Sequence, residues 1–96
     1  MEDCHKELQN RLRELRHDAN LTQEAVSELS GLSYKHYQAL EAGRKSDVRL
    51  SSLCMIAKAY QVEPWELLYS QKPVLSPAFH RSIRNLKNNR SRQKRD

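Results

Sequence analysis

Residues 21–43 read LTQEAVSELSGLSYKHYQALEAG. A threonine opens a short run that ends at a glycine, and a serine opens a second run that ends at Ala42-Gly43. Thr22 and Ser33 suit helix N-termini, because a side-chain oxygen can accept an amide hydrogen left over in the first turn. Gln23-Glu24-Ala25 places an acid at the positive end of the helix dipole. Gly31 supplies the positive φ that a tight interhelical turn demands. The spacing predicts one helix to about Leu29, burying Val26, Ser27 and Leu29 or Ser30. Leu32 then plugs a turn, and Ser33 caps a second helix whose apolar positions Tyr37 and Leu40 lie at i and i+3. Tyr34, Lys35, Gln38 and Glu41 share its remaining faces.

Upstream, Leu8, Leu12 and Leu15 recur at i, i+4 and i+7, which predicts a helix from about Asp3 to His17 with three leucines on one face. Lys6, Arg11, Arg13 and Glu14 fall mostly on other faces, and Asn20 suits the helix end. Downstream, Arg44 to Arg49 is a polar loop. A helix over Leu50–Tyr60 carries Leu50, Leu53, Cys54, Ile56, Ala57 and Tyr60 as a broad apolar stripe, with Ser51 or Ser52 helping its start. Val62-Glu63-Pro64 is a turn, with Pro64 at the first position of a fifth helix, Trp65 to about Tyr69. Pro73 and Pro77 bound a linker. Ser76-Pro77 can cap a last basic helix over 76–88, with Phe79, Ile83 and Leu86 at i, i+4 and i+7. The closing run KNNRSRQKRD cannot bury a core and is expected to be disordered alone.

The expected fold is therefore all-α, a five-helix bundle over residues 4–70 with a basic C-terminal extension over 71–96. Ninety-six residues allow one domain with a tail. Two glycines and three prolines argue against a loop-rich or all-β chain, and the prevalent residues are good helix formers. The net charge of +5 hides a division. Residues 1–70 hold nine Lys/Arg against eleven Asp/Glu, a balance of −2, whereas residues 71–96 hold eight against one, a balance of +7. Positive charge on the body is placed locally; the tail makes the protein basic.

Other classes find little support. Neither Cys4 nor Cys54 sits in a CxxC or Cys/His metal spacing. Cys54 reads as a small buried hydrophobe on an apolar helix face. Cys4 beside His5 near a fraying terminus is at most an adventitious chelator. The charged start MEDCHKEL has no signal-peptide core, and no apolar run approaches the ~20 residues of a membrane span. The chain reads as soluble and cytoplasmic. No phosphate-cradling glycine loop, metal spacing or nucleophile–base pair is present, and His5, His17, His36 and His80 are scattered over four segments. No enzyme, cofactor or metal is expected.

Two helices joined at a glycine, the second opened by a serine, match the helix-turn-helix motif. Small residues at Ser27 and Ser30 let the helices approach, while Val26, Leu32, Tyr37 and Leu40 fasten the pair to the bundle. The N-terminal, outward face of the second helix is then free to enter a major groove.

The ordered set of Arg16, Leu21-Thr22-Gln23-Glu24, Gly31-Leu32-Ser33, Leu40-Glu41-Ala42-Gly43 and IAKAYQVEPWELL resembles the phage repressor/Cro-type (XRE-family) helix-turn-helix domain, from roughly Leu8 to Leu68. By position, the resemblance implies that Gln23 contacts a phosphate or braces a base-reading side chain. Ser33, Tyr34 and Lys35 match the start of the recognition helix; His36 matches a backbone-touching position, and Gln38 lies one turn on. Arg44, with Lys45, matches a phosphate-clamping loop, and Arg16 with Glu41 matches an internal salt bridge. Tyr37 departs from the usual Ile or Val, which sets the third helix further from the core or sends a hydroxyl to its edge. Ser27 departs from Ala, and Ala39 stands where relatives often carry a polar reader.

Chemically, Lys35 can donate to guanine O6/N7, with a plain phosphate contact as its alternative. Gln38 can pair with adenine N6/N7, or simply be solvated, and the Tyr34 ring can meet a thymine methyl or pack on the first helix. Arg44, Lys45 and Arg49 gather cations beside the recognition helix. The resemblance implies a homodimer on a palindrome, usually through the fifth helix, where Trp65, Leu68 and Tyr69 are candidates; Trp65 can equally cover a small core. The tail reads as a phosphate-binding arm, as an amphipathic helix over 76–88 for a protein partner, or as a solvated extension. Its KNNRSRQKR run is like a nuclear import signal, which suits a bacterial or phage-like domain poorly. The expected function is sequence-specific binding of double-stranded DNA by a transcriptional regulator, a repressor by preference, located at the nucleoid. The rival is an antitoxin-like or coactivator-like module that holds a protein partner through its tail.

Overall fold

Helix α1 (Cys4–Ala19) opens the chain, followed by α2 (Gln23–Ser30), α3 (Tyr34–Ala42) and α4 (Leu50–Tyr60). A single 3-10 turn, Pro64–Leu67, comes next, and residues 77–85 are helical again. This computed structural model describes residues 4–45 and 47–85, and no strand occurs among them. The fold is all-α.

Local chemistry sets the boundaries. The Thr22 hydroxyl accepts from the Ala25 amide at 3.1 Å, and the Ser33 hydroxyl accepts from the His36 amide at 3.0 Å. Gly31 (φ 87°) ends α2 in the left-handed region, its N–H donating to the Ser27 carbonyl. Gly43 (φ 77°) ends α3 likewise. Asn20 and Gln61 adopt the same region without being glycines. Arg49 precedes α4 but makes no side-chain cap.

One core joins every element. Leu8, Leu12 and Leu15 of α1 pack with Leu21, Val26, Leu32, Tyr37, Leu40, Ile56, Ala57, Tyr60 and Leu67. Helix α2 packs against α3 and α4, and α1 packs against α3 and the 3-10 turn. Ser27 and Ser30 are both buried on α2, where small side chains allow this close packing. Their hydroxyls are satisfied locally, by the Glu24 carbonyl at 2.8 Å and the Ser27 carbonyl at 3.3 Å.

Four expectations change. The α4 stripe is rotated: Ser52, Ile56, Ala57 and Tyr60 are buried, while Leu50 and Cys54 face outward. A helix with apolar residues on most faces leaves its inner side undetermined by periodicity, so Cys54 is not a core residue. Arg11, expected on an outer face, is 3% exposed. Its guanidinium donates to the carbonyl of Glu66 and, at 2.7 Å, to that of Tyr69. The fifth helix is a four-residue 3-10 turn, closed by reciprocal bonds between Glu63 and Glu66.

The largest change concerns the C-terminal segment. Leu75, Phe79 and Ile83 belong to the same core as α1 and α4. The Phe79 ring lies 5.6 Å from that of Tyr60, and Phe79 is fully buried. Ser76 accepts from the Phe79 amide at 3.1 Å, which caps the helical residues 77–85. Lys72 pairs with Asp18 at 2.8 Å, tethering the approach to α1. The apolar face expected to await a protein partner is thus occupied by the bundle itself, because a core this small has an open flank that Phe79 and Ile83 fill. Leu86 and the run 87–96 lie outside the described residues.

Candidate nucleic-acid interface

Glu41, at the end of α3, is the hub from which the outer face of the motif is built. It is 3% exposed, yet it is an acid, so its charge must be compensated. Arg16 of α1 supplies two bonds, Nη2 to Oε1 at 2.8 Å and Nε to Oε2 at 3.0 Å. Tyr37, one turn back on α3, donates its hydroxyl to Oε2 at 2.6 Å. Gln23, first residue of α2, donates Nε2 to Oε1 at 3.1 Å. Arg16 also holds the Leu21 carbonyl at 3.2 Å, which fixes the entry into α2. Burial pushes the Glu41 carboxyl up, but the bonds from Arg16, Tyr37 and Gln23 outweigh it and hold it below the ordinary value of 4.5. Hydrogen bonding to Glu41 raises Arg16 in turn. For Tyr37, burial first and then the bond to Glu41 push its phenol far up, so it stays a donor.

Outward from Glu41 the network reaches solvent. Gln38 Nε2 donates to Gln23 Oε1 at 3.4 Å and to the Tyr34 hydroxyl at 3.0 Å. Gln23, Gln38 and Tyr34 are therefore brought together across the two helices of the motif. Tyr34 is 44% exposed, and Ser33 and Lys35 beside it are exposed too.

A second cluster lies in the loop after α3. His36, Lys45 and Arg49, with Asp47, line a concavity of about 280 Å³. Arg44 is exposed at the loop's start, its amide bonded to the Ala39 carbonyl at 2.9 Å. Three basic side chains around a polar hollow next to a helix have the chemistry of a phosphate seat, with Asp47 opposing them. Trp65 and Tyr69 form an edge-on pair at 5.5 Å, and with Leu68 they are exposed on and beside the 3-10 turn.

Sequence reading missed several contributors. Arg13 donates to the Glu41 carbonyl at 3.3 Å and to Asn10 at 3.0 Å, so it adds a second α1 contact at the end of α3. Its i, i+3 relation to Arg16 was the available signal. Tyr37 and Glu41 stand at i, i+4, a spacing that permits their bond but does not announce a buried carboxylate. No residue of this chain signals the Gln38–Tyr34 bond except the same i, i+4 spacing.

Among known proteins, the model of a family described as a helix-turn-helix domain matches residues 7–68. Comparison with curated proteins and with solved structures finds no match. The matched span ends before residues 77–85, so the helical segment that fills the core's flank lies beyond it.

Proposed function

This chain belongs to the helix-turn-helix domain family, a class of DNA-binding domains, and from that premise we propose that it is a sequence-specific transcriptional regulator of the repressor/Cro type. It acts as a homodimer on a palindromic operator, with α3 in the major groove and two copies on half-sites about one helical turn apart. The observation that carries this reading is the bonded set Tyr34–Gln38–Gln23 on the exposed side of α3, anchored to a buried carboxylate. Polar side chains held in one arrangement lose less on binding than free ones. Ser33, Tyr34, Lys35 and Gln38 read bases. Gln23, His36, Arg44 and Lys45 contact the backbone, joined by Arg49 at the concavity that His36 and Lys45 line. Trp65, Leu68 and Tyr69 are the dimer contacts, since exposed aromatic residues favour interface cores.

The charge distribution supports the same reading. The body carries −2 overall, yet Lys35, Arg44, Lys45 and Arg49 gather on and after α3. Holding a protein partner through residues 76–88 is less favoured, because Phe79 and Ile83 are spent on the core. Selection of bound sequences from a random duplex pool at two salt concentrations tests the proposal. A two-fold symmetric consensus is expected; no enrichment at either salt would refute sequence-specific recognition.

A further inference from the structure

We propose that Tyr34 and Gln38 together form one reader of adenine, with Tyr34 as the hydrogen-bond donor and Gln38 as the acceptor. The proposal rests on the reading that α3 enters the major groove. It goes further by assigning the polarity of the reading edge and making Tyr34 a specificity-determining residue.

The polarity is set from inside the protein. An ionised carboxylate only accepts, so any amide facing Glu41 must turn its NH2 group inward. Gln23 does so, donating Nε2 to Glu41 Oε1 at 3.1 Å. Its own Oε1 is then directed to α3, where it accepts from Gln38 Nε2 at 3.4 Å. The second hydrogen of that same Gln38 nitrogen goes to the Tyr34 hydroxyl at 3.0 Å. Both Gln38 amide hydrogens are thereby committed, and what Gln38 keeps for a ligand is the acceptor Oε1. Tyr34 has accepted through a lone pair and retains its own O–H to donate.

In the major groove adenine presents the N7 acceptor beside the N6 amine donor. That edge is complementary to a Tyr34 O–H next to a Gln38 carbonyl. Guanine presents two acceptors, N7 and O6, so O6 would confront Gln38 Oε1. Cytosine offers only a donor and thymine only an acceptor and a methyl, so each uses half of the pair. A glutamine reading adenine unaided would have to donate to N7, giving up its bond to Gln23 or to Tyr34. The pair Tyr34–Gln38 needs no such rearrangement.

The experiment uses the full chain and a duplex of its selected sequence. The relevant adenine is the one whose preference disappears on selection with Gln38→Ala. It is replaced in turn by 7-deazaadenine, which lacks N7, and by unsubstituted purine, which lacks the N6 amine. The wild-type protein is expected to lose about five-fold in affinity on each analogue, the worth of one hydrogen bond. Tyr34→Phe should become indifferent to 7-deazaadenine while still penalising loss of the amine. Gln38→Ala should do the reverse. A Gln38→Ala protein that loses the 7-deazaadenine penalty as well would overturn the proposal, since Gln38 and not Tyr34 would then be the donor to N7. A consensus with no Gln38-dependent adenine would overturn it too, while leaving DNA recognition intact. Absence of any consensus would remove the underlying reading and this pair with it. Tyr34 is 44% exposed, so its ring can be altered without opening the core.

Discussion

The Tyr37 hydroxyl donates to Glu41 Oε2 across 2.6 Å inside the core, one turn away on the same helix. A tyrosine thus stands where an aliphatic residue would pack, and its ring fills the core while its hydroxyl serves a buried acid. Tyr37→Phe keeps the ring and removes the donor. A hydrogen bond to a charged group is worth about 1.5–3 kcal/mol, and that is the loss of stability expected in urea unfolding. The same variant should lose less further stability on acidification than the wild type does. The Glu41 carboxyl is held below 4.5 in the folded state, so its contribution to stability is complete above that pH and is lost as pH falls through the folded value. Removing one of the bonds that lower it brings the folded value closer to the unfolded one, so the loss is smaller and is complete at a higher pH. An unchanged acid transition would mean that Arg16 and Gln23 alone hold the charge.

The same substitution at Tyr60 should have the opposite effect. Tyr60 is 1% exposed, and its hydroxyl finds no hydrogen-bond partner among the described residues. Burial, then the nearby Glu41 charge, push its phenol above the ordinary value of 10.0. An unpaired buried hydroxyl costs about 1–3 kcal/mol, so Tyr60→Phe is expected to be neutral or stabilising by about 1 kcal/mol. Because the phenols of Tyr37 and Tyr60 are both raised, wild-type stability should be complete below pH 10 and decline above it, as the unfolded tyrosines ionise. Unfolding of Tyr60→Phe measured from pH 8 to 11 should show a shallower alkaline decline.

Residues 73–83 close the bundle, so they test as core rather than as tail. Phe79→Ala empties a fully buried ring site against Tyr60 and should cost about 3–5 kcal/mol. Truncation after residue 72 should unfold or severely weaken the domain, whereas truncation after residue 85 should preserve its melting temperature. Only the second truncation can report on a basic arm. It should lower affinity for all duplexes alike, because phosphate contacts carry no base information.

Much of the architecture was legible because punctuation and period agreed. Thr22, Gly31, Ser33 and Gly43 bound α2 and α3 by capping chemistry that depends on nearest neighbours alone. Leu8, Leu12 and Leu15 marked the inner face of α1 because their spacing admits one reading. Arg11 hid there because its charge suggested solvent, although it is buried on α1 along with Leu8 and Leu15 and its head meets the carbonyls of Glu66 and Tyr69. Cys54 misled because α4 is apolar on several sides. Phe79 and Ile83 had the right spacing, but the cations around them argued for a tail, and composition averages over residues that packing separates. At the site, residue types and order were readable. The bond pattern was not, since it depends on Glu41 being buried, a property of the assembled core.

Lys35 and Arg44 should separate under mutation. Both are exposed, one on α3 and one at the start of the loop. Lys35→Ala is expected to change the selected consensus, with a bidentate contact worth about 1–3 kcal/mol of discrimination. Arg44→Ala should weaken all duplexes evenly and reduce the slope of log K against log salt by about 0.9. The reverse pattern would exchange their roles.

The most direct measurement compares the affinity of the full chain for its selected duplex with that for a scrambled duplex of equal length and composition, at two salt concentrations. A sequence-specific regulator should prefer its site by about 10³-fold or more, and raising the salt should weaken both complexes, since both share the phosphate contacts. A ratio near one at both salts would contradict the account.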